Sequence, residues 1–383
     1  MRRLVLVGGG HAHLPLLHHW AQRPVRGAEL VLVLDRAVQL YSGMLPGVLA
    51  GLYRLEQAAI DLRPLAARAG ARLVLQPARA IDPHAREVVL AGGERIAYDV
   101  CSLDVGSTTA GAARPDVRAH AIPTRPVQTL PRRTLARLRA LAGGGRRAEI
   151  AVVGAGLAGI ELGLAVAARL RRQRRHARVR WIEAAGRVAA RESPQLARRL
   201  RRAIAARGHR VLCGRRVLAL EPARVVLEDR RRLRADLVLW CTGAAAPRWL
   251  AESGFAVDGR GFVRVRDTLE IEGQRGVFAA GDCAVLATAP ALPRAGVYAV
   301  REAPVLEHNV RRRLEHGETA TLRAYRPQRN FLRLISLGDR SAIGARGRRV
   351  AAGRWLWRLK DAIDRRFVSR YQGRSVSFPA EHG

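Results

Sequence analysis

The residues with the clearest chemical capacity in this 383-residue chain are glycines and acids rather than nucleophiles. Gly154-Ala155-Gly156-Leu157-Ala158-Gly159 ends an aliphatic run, Ile150-Ala151-Val152-Val153, and opens an Ala/Leu-rich segment whose pattern predicts a helix to about Leu170. A second apolar run, VRWIE, ends in an acid at Glu183. Strand, glycine turn, helix, strand and terminal acid together describe a cradle for a dinucleotide. Gly154 makes the tight turn, Gly156 lets a diphosphate approach the backbone, and Gly159 lets the helix lie close on the strand. The helix N-terminus faces the phosphates, and Glu183 can accept hydrogen bonds from ribose hydroxyls, although it lies somewhat beyond the usual spacing of roughly 20 residues.

The amino terminus repeats the plan with one departure. LVLV is the strand, Gly8 and Gly10 fill the first two glycine positions, and His13 stands in the third. A helix over about 12–21 follows, then ELVLVLD, which ends at Asp35. A histidine in the third position prevents the closest helix–strand approach, so this helix is expected slightly further out. His11, His13, His18 and His19 crowd the same stretch, but carboxylates and thiols that would complete a metal site do not accompany them, so no metal is expected. His18 and His19 are expected to face solvent beside Trp20.

Two such cradles in one chain fit a flavoprotein in which one unit holds FAD and the other delivers NAD(P)H. The run from Tyr98 closes in the turn Gly106-Ser107, as expected where the chain leaves the first cofactor. Further on, GVFAA is followed by Gly281-Asp282, where an aspartate can accept a bond from a ribityl hydroxyl while the glycine admits the pyrophosphate.

Composition sets the outer bounds. Hydrophobic residues make up 48 % of the chain and the mean hydropathy is −0.08, as in a folded globular protein. The net charge is +36, and Lys360 stands out among basic residues that are otherwise arginine. Such a field favours anionic partners, but the arginines are spread along the whole chain and no aromatic-interleaved basic motif appears, so no nucleic-acid partner is expected. Cys101, Cys213, Cys241 and Cys283 are isolated, which excludes a CxxC redox or zinc motif and suits a reducing cytoplasm. Gly8 ends the first apolar run too early for a secretion signal, and Glu161 with four glycines argues against a membrane span over 150–170.

These motifs predict an α/β protein with two Rossmann-like domains, an FAD-binding and an NAD(P)-binding one, the second inserted in the first, plus a small C-terminal α+β region. Residues 1–120 and 251–325 would form the FAD domain and 121–250 the NAD(P)H domain, entered through the linker IPTRPVQTLP. Residues 326–383 would carry two short strand runs, NFLRLISLG and SAIGARG, and a basic amphipathic helix, RWLWRLKDAIDRRFVSRY. That helix could lie on a membrane surface, or pack on the body or at a homodimer interface.

The stretches GGGHAHLPLL, LYSGMLPGVLAGLY, IDLRPLAARAGARL, YDVCSLDVGS, VVGAGLAGIELG, VFAAGDCA, PRAGVYAVREAPVLEHNV and WLWRLKDAIDRRF resemble the two-dinucleotide-binding-domain flavoproteins of the pyridine nucleotide-disulfide oxidoreductase superfamily. Within it the chain is most similar to the group akin to type II NADH dehydrogenases that also occurs fused ahead of selenophosphate synthetase (selenide, water dikinase). No kinase sequence follows residue 383, so the resemblance implies the flavoprotein half alone. It implies FAD binding by Gly8, Gly10, His11, Asp35, Gly106, Gly281 and Asp282, with Gly296 and Val297 opening a helix whose dipole faces the flavin. It implies NAD(P)H binding by Gly154, Gly156, Gly159, Glu183 and Gly243. Glu161 corresponds to an acid that approaches the flavin in relatives, some of which pair it with a lysine; Lys360 lies too far along the chain to be assigned that part.

The departures bear on function. The cysteines that a thiol relay needs are not suitably spaced, and the helix beginning near Gly296 carries Tyr298 and Arg301 where quinone-reducing relatives carry glutamines, with Pro304 expected to interrupt it. The expected activity is an FAD-dependent NAD(P)H dehydrogenase that passes a hydride from NADH to flavin N5 and then electrons to an acceptor, a quinone or other small molecule. Glu183 favours NADH over NADPH, and Arg187 nearby weakens that preference. The alternatives are an oxidoreductase acting on a sulfur or selenium compound, and a flavin- and NADH-binding regulatory protein. A cytoplasmic location follows, with peripheral attachment to the inner membrane if the C-terminal helix binds lipid.

Overall fold

A computed structural model describes residues 2–141 and 146–373. The chain begins with β1 (Arg2–Val7), followed by α1 (His13–Gln22), β2 (Ala28–Val33), the short α2 (Leu45–Leu49), β3 (Arg72–Val74) and β4 (Val100–Leu103). A second sheet takes β5 (Ile122–Pro123), β6 (Ala148–Val153), α3 (Leu157–Arg172), β7 (Ala177–Glu183), α4 (Pro194–Ala205), β8 (Arg210–Cys213) and β9 (Leu237–Trp240). The chain then returns through β10 (Val277–Ala279) and the long α5 (Gly296–His316). It ends in three antiparallel strands, β11 (Arg333–Ser336), β12 (Ala342–Arg346) and β13 (Arg349–Gly353), and in α6 (Arg354–Tyr371).

Both main sheets are five-stranded and parallel. The first runs β10-β4-β1-β2-β3 and the second β5-β9-β6-β7-β8, so each glycine turn leaves a central strand. Burial explains the sequence pattern. Leu4, Val5, Leu6 and Val7 are within 2 % of fully buried, as are Val152 and Ile150, because helices cover both faces of a parallel sheet. Each unit also carries a three-stranded antiparallel meander before its last central strand, over 78–97 and 217–234.

Three local readings are corrected. Ile122–Pro123, read as linker, pairs with β9 as an edge strand, where the missing proline N–H costs nothing. The C-terminal sheet has three strands, not two, because Arg349–Gly353 continues the ladder beside β12. Pro304 does not interrupt α5, which runs unbroken for 21 residues. Its buried face, including Ala299, Ala303, Leu306 and Val310, packs into the first core, and that packing offsets the ~3 kcal/mol cost of an internal proline.

His13 takes the third glycine position by hydrogen bonding rather than by leaving space. Its Nδ1–H donates to the Gly8 carbonyl (2.7 Å), and Nε2 accepts from the Ser102 hydroxyl of β4 (2.8 Å). The ring thus fastens α1 to both the glycine turn and the neighbouring strand. His18 and His19 do not simply face solvent: His19 pairs with Glu307 of α5 at 2.6 Å, and His18 is half-buried with its edge on Tyr371.

Burial, set against the bond to Gly8, pushes the His13 pKa down from 6.5 to about 4. The folded pKa is below the unfolded one, so His13 supports stability above pH 6.5 and withdraws that support as pH falls towards 4. Denaturant titrations at pH 7 and pH 4.5 should therefore show wild type losing on the order of 2–3 kcal/mol more than His13→Gln between those values. Parallel pH dependence in the two proteins would refute the assignment.

Candidate functional site

The second glycine turn is built for close approach. Gly154 has φ +102°, and a Cβ there would meet the Cys241 carbonyl oxygen at 2.3 Å. A Cβ on Gly159 would meet the Gly154 carbonyl oxygen at 2.2 Å, so α3 can lie on the turn only without side chains. A Cβ on Gly156 meets nothing within 4 Å, so this glycine borders open space. The α3 N-terminus carries no side-chain cap and no acid in its first turn, which leaves its amides available to an anion. Glu183 accepts from the Ala155 amide (2.7 Å) and the Ala185 amide (2.9 Å), holding the carboxylate against the glycine turn. Gly243, at φ +112°, accepts at its carbonyl from the Ala110 amide, where 108–109 pairs with 244–245 between the two units. This arrangement fits a dinucleotide.

The first glycine turn is organised around an acid that sequence reasoning passed over. Asp104, 3 % exposed, accepts from the Ala12 amide (2.7 Å) and the His13 amide (3.2 Å) at the start of α1. A Cβ on Gly10 would meet its carboxylate at 2.1 Å and one on Gly281 at 2.7 Å, so one side chain gathers both fingerprints. Glu302 of α5 accepts from the Gly281 amide at 2.7 Å. Asp282 accepts from Arg125 (2.9 Å) and Ser107 (3.3 Å). Burial pushes both Asp104 and Glu302 up to about 7, against the amides that bond them. The signal for Asp104 was available as an acid inside an otherwise apolar strand end, VCSLDVG; Glu302 carried no comparable mark.

The helix start expected to face a flavin is that of α5. Its N-terminus has neither side-chain cap nor acid in the first turn, which includes Val297, and a Cβ on Gly296 would stand 3.8 Å from His11. His11, Tyr41 and Phe367 form one aromatic group, with ring centroids 5.4, 5.7 and 4.6 Å apart. Burial lowers the His11 pKa and so favours the neutral ring. Gly106 adopts φ +69° facing open space. Asp35 stands exposed beyond the end of β2, touching Arg36 at 3.1 Å. These residues fit FAD, with the Gly296 and Val297 amides at the start of α5 and a glycine turn whose acid can be neutral near pH 7.

Lys360 corrects the sequence reading. It arrives on α6, which folds back over 43–59, and its Nζ donates to the Gly43 carbonyl (2.8 Å) and to Asp364 (2.6 Å). Tyr41 donates to the same Asp364 at 3.3 Å. Glu161, in α3, accepts from the Ser336 amide at 2.7 Å; burial raises its pKa to about 7 and Lys360 pulls it back. Chain distance was thus no guide to partnership. The cysteines are poorly placed for thiolate chemistry, since burial pushes Cys241 and Cys283 up to about 12.

Two parallel units, each with a glycine turn on a central strand, and an uncapped helix aimed at an aromatic group define a flavoprotein oxidoreductase with two dinucleotide sites. The chain belongs to the pyridine nucleotide-disulphide oxidoreductase family, whose model matches residues 2–312, and is NADH dehydrogenase-like. It is 29 % identical over 299 residues to an NADH dehydrogenase-like protein of Mycobacterium tuberculosis, covering 74 % of this chain and 73 % of that one. It is 26 % identical over 292 residues to a demethylphylloquinone reductase of Synechocystis, covering 73 % and 71 %. The fold matches a sulfide:quinone oxidoreductase of Aquifex aeolicus (TM-score 0.82, 16 % identity, 97 % and 92 % covered). It also matches an NDH2 of Plasmodium falciparum (TM-score 0.76, 12 % identity, 97 % and 98 % covered).

The glycines separate binding from folding. Gly156→Val should weaken NADH binding, read by fluorescence titration, at least about tenfold while costing no more than about 1 kcal/mol of stability. Gly159→Val should instead cost about 1–3 kcal/mol through its carbonyl clash, visible as a lower Tm. Equal effects of the two on binding and stability would contradict the geometry.

Proposed function

We propose that the chain oxidises NADH at a bound FAD and delivers the electrons to a quinone-class acceptor that approaches from a membrane surface. The observation that carries this reading is the two-faced α6. One face turns Lys360 and Asp364 towards Tyr41 and Gly43. The other leaves Trp355, Leu359 and Ile363 exposed at 59 %, 38 % and 46 %, a row at helical spacing among exposed Arg358, Arg366 and Arg370. An apolar row among arginines suits the boundary between anionic headgroups and acyl chains. Among the described residues no helix is long and apolar enough to cross a membrane. The name of the Synechocystis relative, a demethylphylloquinone reductase, supports the acceptor class.

FAD, when bound, takes two electrons and a proton from NADH and passes them on, so the protein's work is position and proton supply. The reaction NADH + H⁺ + quinone → NAD⁺ + quinol consumes one proton beyond those NADH brings. Glu161, near 7 and facing Lys360, is suited to supply it. Glu183 at the glycine turn opposes a 2′-phosphate. Arg187 is occupied by the Ala190 and Glu192 carbonyls (2.7 and 2.9 Å), which supports NADH over NADPH.

Anaerobic addition of one equivalent of NADH should bleach the flavin spectrum, and a short-chain naphthoquinone should restore it. An oxidised spectrum unmoved by NADH would overturn the dehydrogenase reading. Trp355→Glu/Leu359→Glu should abolish co-sedimentation with anionic vesicles and leave bleaching intact; unchanged sedimentation, or a wild-type dimer that the variant splits, would assign the row to another occupant.

Glu161→Gln should slow quinone reduction about 100-fold with bleaching unaffected. The donor must be protonated, so the rate should fall as pH rises through about 7. Lys360→Met removes the cation that favours the carboxylate and should move that fall to higher pH. A profile that stays in place would exclude Glu161 as the donor.

A further inference from the structure

The second sheet has another concavity at its far end. Beyond the N-terminal ends of β6, β7 and β8, opposite the glycine turn, lies a cavity of about 200 Å³. Its polar lining is Arg147, Arg171, Arg175, His176, Arg207 and His209, over an aliphatic floor from α3 and Leu337. Among the described residues Asp339 supplies the carboxylate that pairs with this group, at 2.6 Å from Arg207. Two buried nitrogens, the donor Arg207 Nε and His209 Nδ1, whose role depends on the tautomer, have no hydrogen-bond partner among the described residues, which is costly for buried polar groups. Burial first, then the guanidiniums of Arg147, Arg207 and Arg171, push the His209 pKa down to about 4. Arg147 and Arg171 have no carboxylate partner among the described residues, and Asp339 is shared with none of the other cations here.

We propose that this cavity binds a phosphoryl-bearing anion, either free phosphate or a small phosphate ester, at a site separate from both dinucleotide cradles. Guanidinium forks match the oxygens of a tetrahedral phosphoryl group, and the number of cations suits a dianion better than a lone carboxylate. The volume is below the roughly 300–1,000 Å³ of drug-sized pockets, so the ligand has few atoms beyond its phosphoryl group. The site also touches the nucleotide fingerprint. The His209 ring lies 6.1 Å from that of Trp181, whose indole N–H donates to the Gly159 carbonyl at 2.8 Å.

The test is calorimetric titration of the FAD-loaded protein in saturating NAD⁺, so that both cradles are filled, with inorganic phosphate and with glycerol 3-phosphate. One site per chain is expected, and Arg171→Glu should weaken it at least about tenfold. Arg171 is exposed, so this variant should keep the wild-type Tm and NAD⁺ affinity. His209→Asn gives a second, independent loss. Tighter binding of the ester assigns an esterified ligand, and tighter binding of phosphate assigns the free ion. No heat with either anion, or binding equal in wild type and Arg171→Glu, overturns the proposal. Neither result bears on NADH oxidation, which is read separately from the flavin spectrum.

Discussion

The buried carboxylate of Asp104 is the interaction on which the first unit depends. It joins the end of β4 to the amides that begin α1, and it fills the space that side chains at Gly10 and Gly281 would need. Three segments of chain, separated by most of the sequence, are therefore held to one point. A buried acid is tolerable only with hydrogen bonds to offset its lost hydration, and the α1 N-terminus supplies two together with a favourable dipole. Glu302 repeats the device on the Gly281 amide. Asp282 extends it through Arg125 to the segment that leads into the second unit. The glycines are required less by the turn alone than by the acids packed against it.

The C-terminal segment completes the site by bridging. Ile335, Leu337, Ile343 and Ala345 bury into the second core beside α3 and α4, whereas Val368 and Tyr371 of α6 bury into the first. The tail thus spans the two units, and α6 brings Lys360, Asp364 and Phe367 to residues 41–43. This return brings the charges of Lys360 and Asp364 to act on Glu161 in one unit while Asp364 accepts from Tyr41 in the other.

Much of this was legible in the sequence. The glycine turns, their strands and the terminal acids announce themselves because phosphate approach allows few residue types at fixed spacing. The amphipathic α6 was readable from its helical spacing, and the α5 start at Gly296 followed from the family resemblance. What was not legible depended on tertiary packing. Pro304 breaks helices by local rule, but here the packed face of α5 outweighs that rule. Lys360 looked remote because chain separation says nothing about where a terminal helix docks. His13 was read as a spacer, since its bonds to Gly8 and Ser102 exist only once β4 lies beside β1. Asp104 carried a mark, an acid at an apolar strand end, but its partners at Gly10 and Gly281 come together only in the fold; Glu302, in the polar-mixed stretch VREAPVLE, carried none.

Net charge was a poor guide to the chemistry for a physical reason. A charge of +36 would be expected to pull every carboxylate downward. Yet Asp104, Glu161, Glu302 and Asp364 are all raised, with burial the largest cause in each. Exposed arginines act through water and are screened beyond roughly 8–10 Å, whereas lost hydration acts on the buried group itself. The site is therefore a proton-holding interior inside a cationic shell. The shell sets the long-range field around the protein, while burial sets which interior carboxyls hold protons near pH 7. The local cation at Lys360 couples the two, lying close enough to Glu161 to oppose burial as the distant arginines cannot.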